Sequence, residues 1–221
     1  MPDLLRAVEI ETGGTVRSAI VWMHGLGADG HDFEPIVPHL GLKDRGGRFV
    51  FPHAPRRAVT INGGLLMPAW FDVRSQDFGA DIDAPGIRAS VVQVEGLIAR
   101  EKERGVPAGR ILLAGFSQGG VIALCTALRH PERLAGVLGL STFLPAEALI
   151  EGDLSSANAG LPVFMGHGDE DPMIPIEWAE AARDRLQTLG YPVTWKSYPM
   201  AHQVCAEEIA DLGAWIRERL R

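Results

Sequence analysis

Residues 111–120 read ILLAGFSQGG, a row of aliphatic residues followed by a serine between glycines. The apolar run 111–114 predicts a buried strand, and 120–128, GVIALCTAL, predicts a helix directly after it. The intervening GFSQG at 115–119 is a G-x-S-x-G pattern. A sharp strand-to-helix turn strains its central residue and leaves no room for flanking side chains, which explains the two glycines. We therefore expect Ser117 to project from the carboxyl end of a sheet as a nucleophile rather than to form a purely structural turn.

The rest of the chain repeats this alternation of strand and helix. Short apolar runs predict strands at 19–23, 48–51, 111–114, 134–140, 162–165 and 193–198. Most are continuous rather than alternating, which is typical of strands buried on both faces of a parallel sheet. Helical periodicity marks 87–98, 176–189 and 204–220. The pattern predicts a single α/β domain over residues 1–221, with right-handed crossovers.

Two segments depart from this pattern. Residues 4–12 alternate and lead into Gly13-Gly14, so we expect an antiparallel edge hairpin with the strand at residue 19. Residues 58–85 have no clear period and contain the glycine-rich, apolar NGGLLMPAWFDV. A loop of this length is usually functional or mobile, although core packing would explain Trp70 and Phe71 equally well.

The composition excludes several classes of protein. Hydrophobic residues make up 46% and charged residues 22%, which argues against disorder. The balance of 21 basic against 28 acidic residues, −7 overall, argues against nucleic-acid and anionic-membrane partners. No apolar run approaches the roughly 18 residues of a membrane span, and the N-terminus lacks a signal-peptide pattern. Neither Cys125 nor Cys205 has a metal-ligand neighbour at CxxC or CxxxH spacing. We therefore expect a cytoplasmic protein with free thiols and no stable membrane insertion.

A serine hydroxyl needs a general base, and only three histidines follow Ser117. His130 ends the predicted helix after the serine, where a surface or capping role is expected. His167 directly follows the strand at 162–165. His202 lies between the last strand and the last helix, where a loop can reach back over the sheet, so we predict that it is the base.

The acid that orients this base must come from HGDEDPMIP at 167–175. Asp171 precedes Pro172 and is therefore held in extended geometry. Asp169 follows a glycine and is suited to capping the turn. This reasoning favours Asp171 and leaves Asp169 open.

An oxyanion needs two prearranged N–H donors. The residue after the nucleophile, Gln118, is expected to supply one from its backbone. The glycine-rich loop HGLG at 24–27 follows the first parallel strand, and Leu26 N–H is our candidate for the other.

Six segments together resemble one family. They are HGLGADG at 24–30, FPHAP at 51–55, PAWFD at 68–72, GFSQGG at 115–120, HGDEDPMIP at 167–175 and MAHQVCAEEI at 200–209. They resemble the phospholipase/carboxylesterase group of α/β-hydrolases, which includes acyl-protein thioesterases and lysophospholipases. The chain has Met173-Ile174-Pro175 and Ala201-His202-Gln203 where relatives often carry Val-Pro and Gly-His-Ser, which puts fine specificity in doubt.

The resemblance implies an α/β-hydrolase fold without a large cap domain. It implies a catalytic Ser117, Asp171 and His202, and so selects Asp171 over Asp169. It also implies an oxyanion hole from the Leu26 and Gln118 backbone. The acyl transfer expected from these groups needs no metal or cofactor. An acyl channel lined by side chains from three parts of the chain is suggested as well: Leu65, Trp70, Phe143 and Met173.

The function expected from these residues is hydrolysis of short- to medium-chain carboxylic esters through an acyl-enzyme, with a role in lipid metabolism. Acyl-protein thioester or lysophospholipid cleavage is the alternative within the same chemistry. From other classes, we consider a non-catalytic binding protein of the same fold and a metal site at His24, Asp29, His31 and Asp32. The small-molecule ester is the expected partner, and the apolar 65–70 segment could support a homodimer. Cys205 is expected to be a small buried residue rather than a reactive thiol.

Overall fold

A computed structural model of the chain describes residues 4–75, 81–145 and 154–221. Its nine strands are β1 (Ala7–Thr12), β2 (Ser18–Met23), β3 (Gly47–Pro52), β4 (Arg56–Val59), β5 (Leu65–Pro68), β6 (Ile111–Phe116), β7 (Gly136–Leu140), β8 (Val163–Gly168) and β9 (Val193–Tyr198). Its α-helices are α1 (Ala84–Glu103), α2 (Gln118–Arg129), α3 (Ile176–Thr188) and α4 (Ala206–Arg219). Every strand and helix predicted from periodicity is present, within a few residues of its expected ends.

Seven strands form one sheet in the order β1-β3-β2-β6-β7-β8-β9. From β3 to β9, all described neighbours are parallel. Alternate residues of β2 and β6 enter two separate cores, because successive side chains point to opposite faces of a sheet. One core is formed with α1, α2 and α3, and the other with α4 and the turn at 34–40. The result is the mostly parallel sheet flanked by helices that the sequence predicts.

The predicted pairing of the first strand is wrong. β1 is antiparallel and lies at the sheet edge, but its partner is β3 rather than β2. β2 is buried at all six positions, so it needs a neighbour on each side and pairs with β3 and β6. The half-exposed β1 suits the edge, where Glu11 lies opposite Arg48 and accepts a hydrogen bond from its Nε at 3.0 Å.

The prediction of a loop over 58–85 is also wrong in part. A two-stranded antiparallel hairpin of β4 and β5 spans residues 56–68 and so overlaps its first part, and α1 begins at Ala84. The glycines Gly63 and Gly64 at its turn both have positive φ, at 67° and 78°. Leu65 and Leu66 on β5 are 63% and 60% exposed, so the hairpin presents apolar side chains to solvent. The expectation of a homodimer through this segment stays a prediction.

Candidate active site

Ser117 occupies a strained turn between β6 and α2. Its φ and ψ are 54° and −121°, outside the regions that L-residues favour. The turn is fixed on both sides of the residue, because Ser117 N–H donates to Leu140 O at 2.8 Å and Thr142 Oγ1 donates to Ser117 O at 2.7 Å. Backbone strain of this kind persists only where the surrounding structure enforces it.

Glycine is required around Ser117 because backbone segments come too close together there to leave room for a Cβ. A Cβ at Gly115 would lie 2.1 Å from Gly119 O, so the turn folds tightly on itself. A Cβ at Gly119 would lie 2.4 Å from Met23 O, so α2 begins against the end of β2. A Cβ at Gly25 would lie 3.6 Å from the Cβ of Ser117. The 24–27 loop therefore lies beside the serine, as the sequence predicts.

His202 and Asp171 are brought together by the loops that follow β9 and β8. His202 Nδ1 lies 2.7 Å from Asp171 Oδ2, within hydrogen-bonding distance. The His202 ring also lies against Phe116, with ring centroids 4.8 Å apart, which places it next to the residue that precedes the serine. A Cβ at Gly168 would lie 2.2 Å from Met200 O, so this glycine lets the two loops approach each other.

The Asp171 carboxylate accepts further hydrogen bonds from its own loop. Oδ1 accepts from the backbone N–H of Met173 at 2.8 Å and of Ile174 at 2.9 Å. These donors leave Oδ2 directed at His202. Asp169 is exposed, so the structure places Asp171 and not Asp169 against the imidazole.

The other two histidines after Ser117 have different partners. His167 is buried, and its Nε2 lies 2.8 Å from Ile174 O and 3.5 Å from Asp171 Oδ2. Burial lowers the pKa of His167, so its ring is neutral near pH 7. His130 ends α2, as a capping residue would, but it is buried rather than at the surface and pairs with Glu95.

The two candidate oxyanion donors belong to the 24–27 loop and to the start of α2, the two segments next to Ser117. Gln118 is the first residue of α2, where a helix leaves its N–H groups without intrahelical partners. Among the described residues, neither Leu26 N–H nor Gln118 N–H donates to another protein atom. Gly27 N–H donates to Pro68 O at 2.9 Å, so the 24–27 loop is held against the β5 strand.

The four predicted substrate-binding residues divide into two pairs. Leu65 and Met173 are each 63% exposed and are accessible to a ligand. Trp70 is 0% exposed, and its N–H and indole groups both bond to protein atoms. Phe143 is 3% exposed and packs edge-on against Trp178. The role of these residues in binding substrate stays a prediction.

The rival metal site has little support in the geometry. Both ring nitrogens of His24 are already engaged by backbone groups of Gly25 and Ala54. In the described ranges, no three His, Cys, Asp or Glu side chains are grouped so as to hold a metal ion. Cys205 differs from expectation: it is half-buried, and its Sγ accepts from Glu208 N–H at 3.5 Å.

A profile of the phospholipase/carboxylesterase family matches residues 6–220. This chain belongs to that family. Acyl-protein thioesterase 1 of Cryptococcus neoformans var. neoformans serotype D is 34% identical over 238 residues, covering 100% of both sequences. Acyl-protein thioesterase 1 of Gibberella zeae is 35% identical over 215 residues, covering 92% of this chain and 91% of the relative.

A solved structure shows the same fold. The crystal structure of Arabidopsis thaliana SOBER1 matches with a TM-score of 0.87 and 31% identity, covering 93% of this chain and 100% of that one. The chain is therefore an α/β-hydrolase, as its sequence motifs predict. The described part of the chain contains no helix both long and apolar enough to cross a membrane.

Proposed function

We propose that this family member hydrolyses acyl esters or thioesters through a catalytic Ser117, His202 and Asp171. The single observation that carries the proposal is the 2.7 Å contact between His202 Nδ1 and Asp171 Oδ2, beside the strained turn of Ser117. The carboxylate fixes the imidazole with Nδ1 protonated, which leaves the lone pair on Nε2 free to accept a proton.

In the first half of this mechanism, Ser117 Oγ attacks the acyl carbonyl while His202 Nε2 takes the hydroxyl proton. The oxyanion that forms accepts from the N–H groups of Leu26 and Gln118. The imidazolium then donates its proton to the departing alcohol or thiol, and an acyl-Ser117 intermediate remains. Water attacks this intermediate with His202 again acting as base, which releases the acid and regenerates the serine.

A fluorophosphonate probe tests the role of the serine. The protein should be labelled at Ser117, and Ser117→Ala should abolish both labelling and ester hydrolysis while the fold remains. A matched control is Ser156→Ala, which changes an exposed serine close to the carboxyl end of α2, at the opposite end of that helix from Ser117. Labelling at another residue, or full turnover by Ser117→Ala, would overturn the proposal.

Within this chemistry, we propose a carboxylesterase of short- to medium-chain esters. The support is that the described elements between the strands of the main sheet are helices and the two-stranded β4–β5 hairpin, none of which is a large cap domain. The expected result is a higher kcat/KM for p-nitrophenyl butyrate than for p-nitrophenyl palmitate. A clear preference for the C16 ester would contradict it.

Acyl-protein thioesterase activity is an equally supported candidate. Two relatives that align with most or all of this chain, at 34% and 35% identity, carry that name. The exposed Leu65 and Leu66 of the β4–β5 hairpin could bind a longer acyl chain. The two functions are separated by comparing kcat/KM for an S-palmitoylated peptide with that for the butyrate ester. Preference for the peptide would select the thioesterase.

A further inference from the structure

His24 is a buried histidine that the proposed mechanism does not use. It follows β2 directly, opens the HGLG loop, and is 2% exposed. Its Nδ1 lies 2.7 Å from Gly25 O, and Ala54 N–H donates to its Nε2 at 3.1 Å. Both ring nitrogens therefore bond to backbone groups on two different segments.

These contacts determine the tautomer of His24. A backbone N–H can only donate, so Nε2 must hold the lone pair that accepts from Ala54. Nδ1 therefore carries the hydrogen and donates to Gly25 O. Burial lowers the pKa of His24, which keeps the ring neutral near pH 7, as this bonding requires.

The carbonyl that His24 binds belongs to the same peptide unit as a proposed oxyanion donor. Gly25 C=O and Leu26 N–H lie in one planar peptide, and no peptide bond in the described ranges is cis. In a trans peptide the carbonyl and the following N–H point in opposite directions. Holding Gly25 C=O on the imidazole therefore fixes the direction of Leu26 N–H.

A second contact links this loop to the other proposed donor. Trp70 Nε1–H donates to His24 O at 2.9 Å, and Trp70 N–H donates to Gln118 Oε1 at 2.7 Å. Gln118 Nε2 donates to Phe71 O at 2.7 Å. The two residues whose N–H groups would bind the oxyanion are thus joined through the backbone carbonyl of His24, Trp70 and the side chain of Gln118.

We propose that His24 is a positioning residue that orients Leu26 N–H for the oxyanion, through its hydrogen bond to Gly25 O. The inference rests on the proposed function. It gives His24 a role in stabilising the transition state, rather than in binding the substrate or a metal ion.

Two substitutions separate the two ring contacts. In His24→Asn the amide nitrogen can occupy the place of Nδ1 and still donate to Gly25 O, but it loses the Ala54 contact. In His24→Gln the amide can reach the place of Nε2 and accept from Ala54 N–H, but it loses the donor to Gly25 O. Both variants remove a buried ring, so a merely structural role predicts similar losses in the two.

The measurements are kcat and KM for p-nitrophenyl butyrate and the inhibition constant of a trifluoromethyl ketone, whose adduct with Ser117 carries an oxyanion. We expect kcat of His24→Gln to fall by about 10- to 100-fold, below the roughly 10²–10³-fold that loss of one oxyanion donor causes. KM should change little, and the inhibition constant should rise in parallel with the loss of kcat. His24→Asn should retain about 10-fold more kcat than His24→Gln.

Equal losses of kcat in the two variants, or a kcat of His24→Gln close to that of the wild type, would overturn the positioning role of His24. Either result would leave the proposed function standing. Wild-type protein without Ser117-dependent turnover would overturn the proposed function and this inference with it. If neither His24 variant folds, NMR of the histidine ring nitrogens in the wild-type protein decides, because the proposed role requires a neutral His24 ring that carries its hydrogen on Nδ1, both in the free protein and in the ketone adduct. A His24 ring with its hydrogen on Nε2 in either state would contradict the proposal.

Discussion

At the scale of single residues, the carboxylate of Asp171 is arranged to orient an imidazole. Met173 and Ile174 N–H groups hold Oδ1, and Oδ2 lies 2.7 Å from His202 Nδ1. Asp171 is 8% exposed, so water competes little for these contacts. Such a carboxylate selects one tautomer of its histidine and stabilises the imidazolium that forms.

Asp171→Asn tests this orientation. The amide can still accept from Met173 and Ile174, but its NH₂ group would face His202 and favour the wrong tautomer. We expect kcat to fall by about 10⁴-fold with little change in KM. The exposed Asp169→Asn is the control and should keep the wild-type rate. A loss of less than 10-fold in Asp171→Asn, measured in a steady-state ester assay, would contradict the assignment.

Glu208, in the first turn of α4, is another buried carboxyl and lies against Gly166 of β8. It is 0% exposed, neither oxygen has a hydrogen-bond partner in the described residues, and a Cβ at Gly166 would lie 2.1 Å from its Oε1. Burial, with a smaller contribution from Asp211, raises the pKa of Glu208 to about 8. The folded protein therefore binds a proton that the unfolded chain releases at a lower pH.

The free energy of unfolding should depend on this group. A raised pKa in the folded state gives stability that is complete at acidic pH and is lost as the pH rises toward 8. We expect Glu208→Gln to remove a slope of about 1.4 kcal/mol per pH unit between roughly pH 5 and 8. Glu207→Gln removes the same charge from an exposed neighbour and should leave the slope intact. The free energy of unfolding of both variants is measured by denaturant unfolding across this pH range. Equal slopes of this free energy against pH in the two variants would refute the role of Glu208.

The reacting side chains could be predicted from the sequence because each follows a recognisable strand or precedes a helix. The order of Ser117, Asp171 and His202 along the chain fits the elbow pattern, and the structure brings the last two into contact. The hydrogen bonds of His24 could not be predicted. An HG pair after a strand indicates a turn, but the Ala54 and Trp70 partners come from distant segments that only the fold brings together.

At the scale of elements, the first turn of α2 rests directly on the end of β2. Gly119 makes this possible, because a Cβ there would lie 2.4 Å from Met23 O and 2.5 Å from His24 O. Both contacts are with backbone, which cannot move aside as a side chain can. The distance between α2 and the 24–27 loop is therefore set by the lack of a side chain at Gly119.

Gly119→Ala should push α2 away from β2. We expect the free energy of unfolding to fall by about 1–3 kcal/mol, as overpacking does, and probe labelling at Ser117 to slow. Gly96→Ala in the middle of α1 is the matched control, since its Cβ would meet only Leu4 Cδ1 at 3.7 Å. That change should stabilise the protein by up to about 1 kcal/mol. Equal thermal stability and equal labelling rates in the two variants would contradict this account.

The elements that the sequence predicts well are those with an unbroken period. Continuous apolar runs gave the parallel strands, and the stripes in α1, α3 and α4 gave the helices. The alternation of β1 indicates an edge strand but carries no information about its partner. The β4–β5 hairpin was missed because Leu65-Leu66-Met67-Pro68 does not alternate in sequence. The pairing of β5 with β4 cannot be predicted from a local sequence pattern.

At the scale of the whole molecule, one buried carboxylate joins the sheet to a helix. Glu101 on α1 is 0% exposed and accepts from Arg48 Nη1 of β3 at 2.6 Å. It also accepts from Arg100 and Arg104, each at 3.0 Å. Glu9 of β1 pairs with the same two arginines. The edge strand is thereby tied to α1 as well as to β3.

Glu101→Gln should leave Arg48 partly uncompensated in a buried position. We expect the free energy of unfolding to fall by about 3 kcal/mol, because breaking one side of a buried ion pair is costly. Glu132→Gln breaks the exposed pair with Lys102 and should have almost no effect on stability. Chemical denaturation compares the two variants. A similar small change in both would show that the buried network contributes little.

The proposed mechanism requires the hydroxyl of Ser117 to become acylated during turnover. Rapid quenching of the reaction with p-nitrophenyl butyrate, followed by mass analysis of the digested protein, detects this acylation. We expect a butyryl adduct on the peptide that contains Ser117. If deacylation is slower than acylation, the adduct forms in a burst equal to the enzyme concentration. If Asp171→Asn slows deacylation more than acylation, more adduct accumulates in that variant. Turnover that proceeds at the same rate in Ser117→Ala, with no adduct on that peptide, would contradict the account.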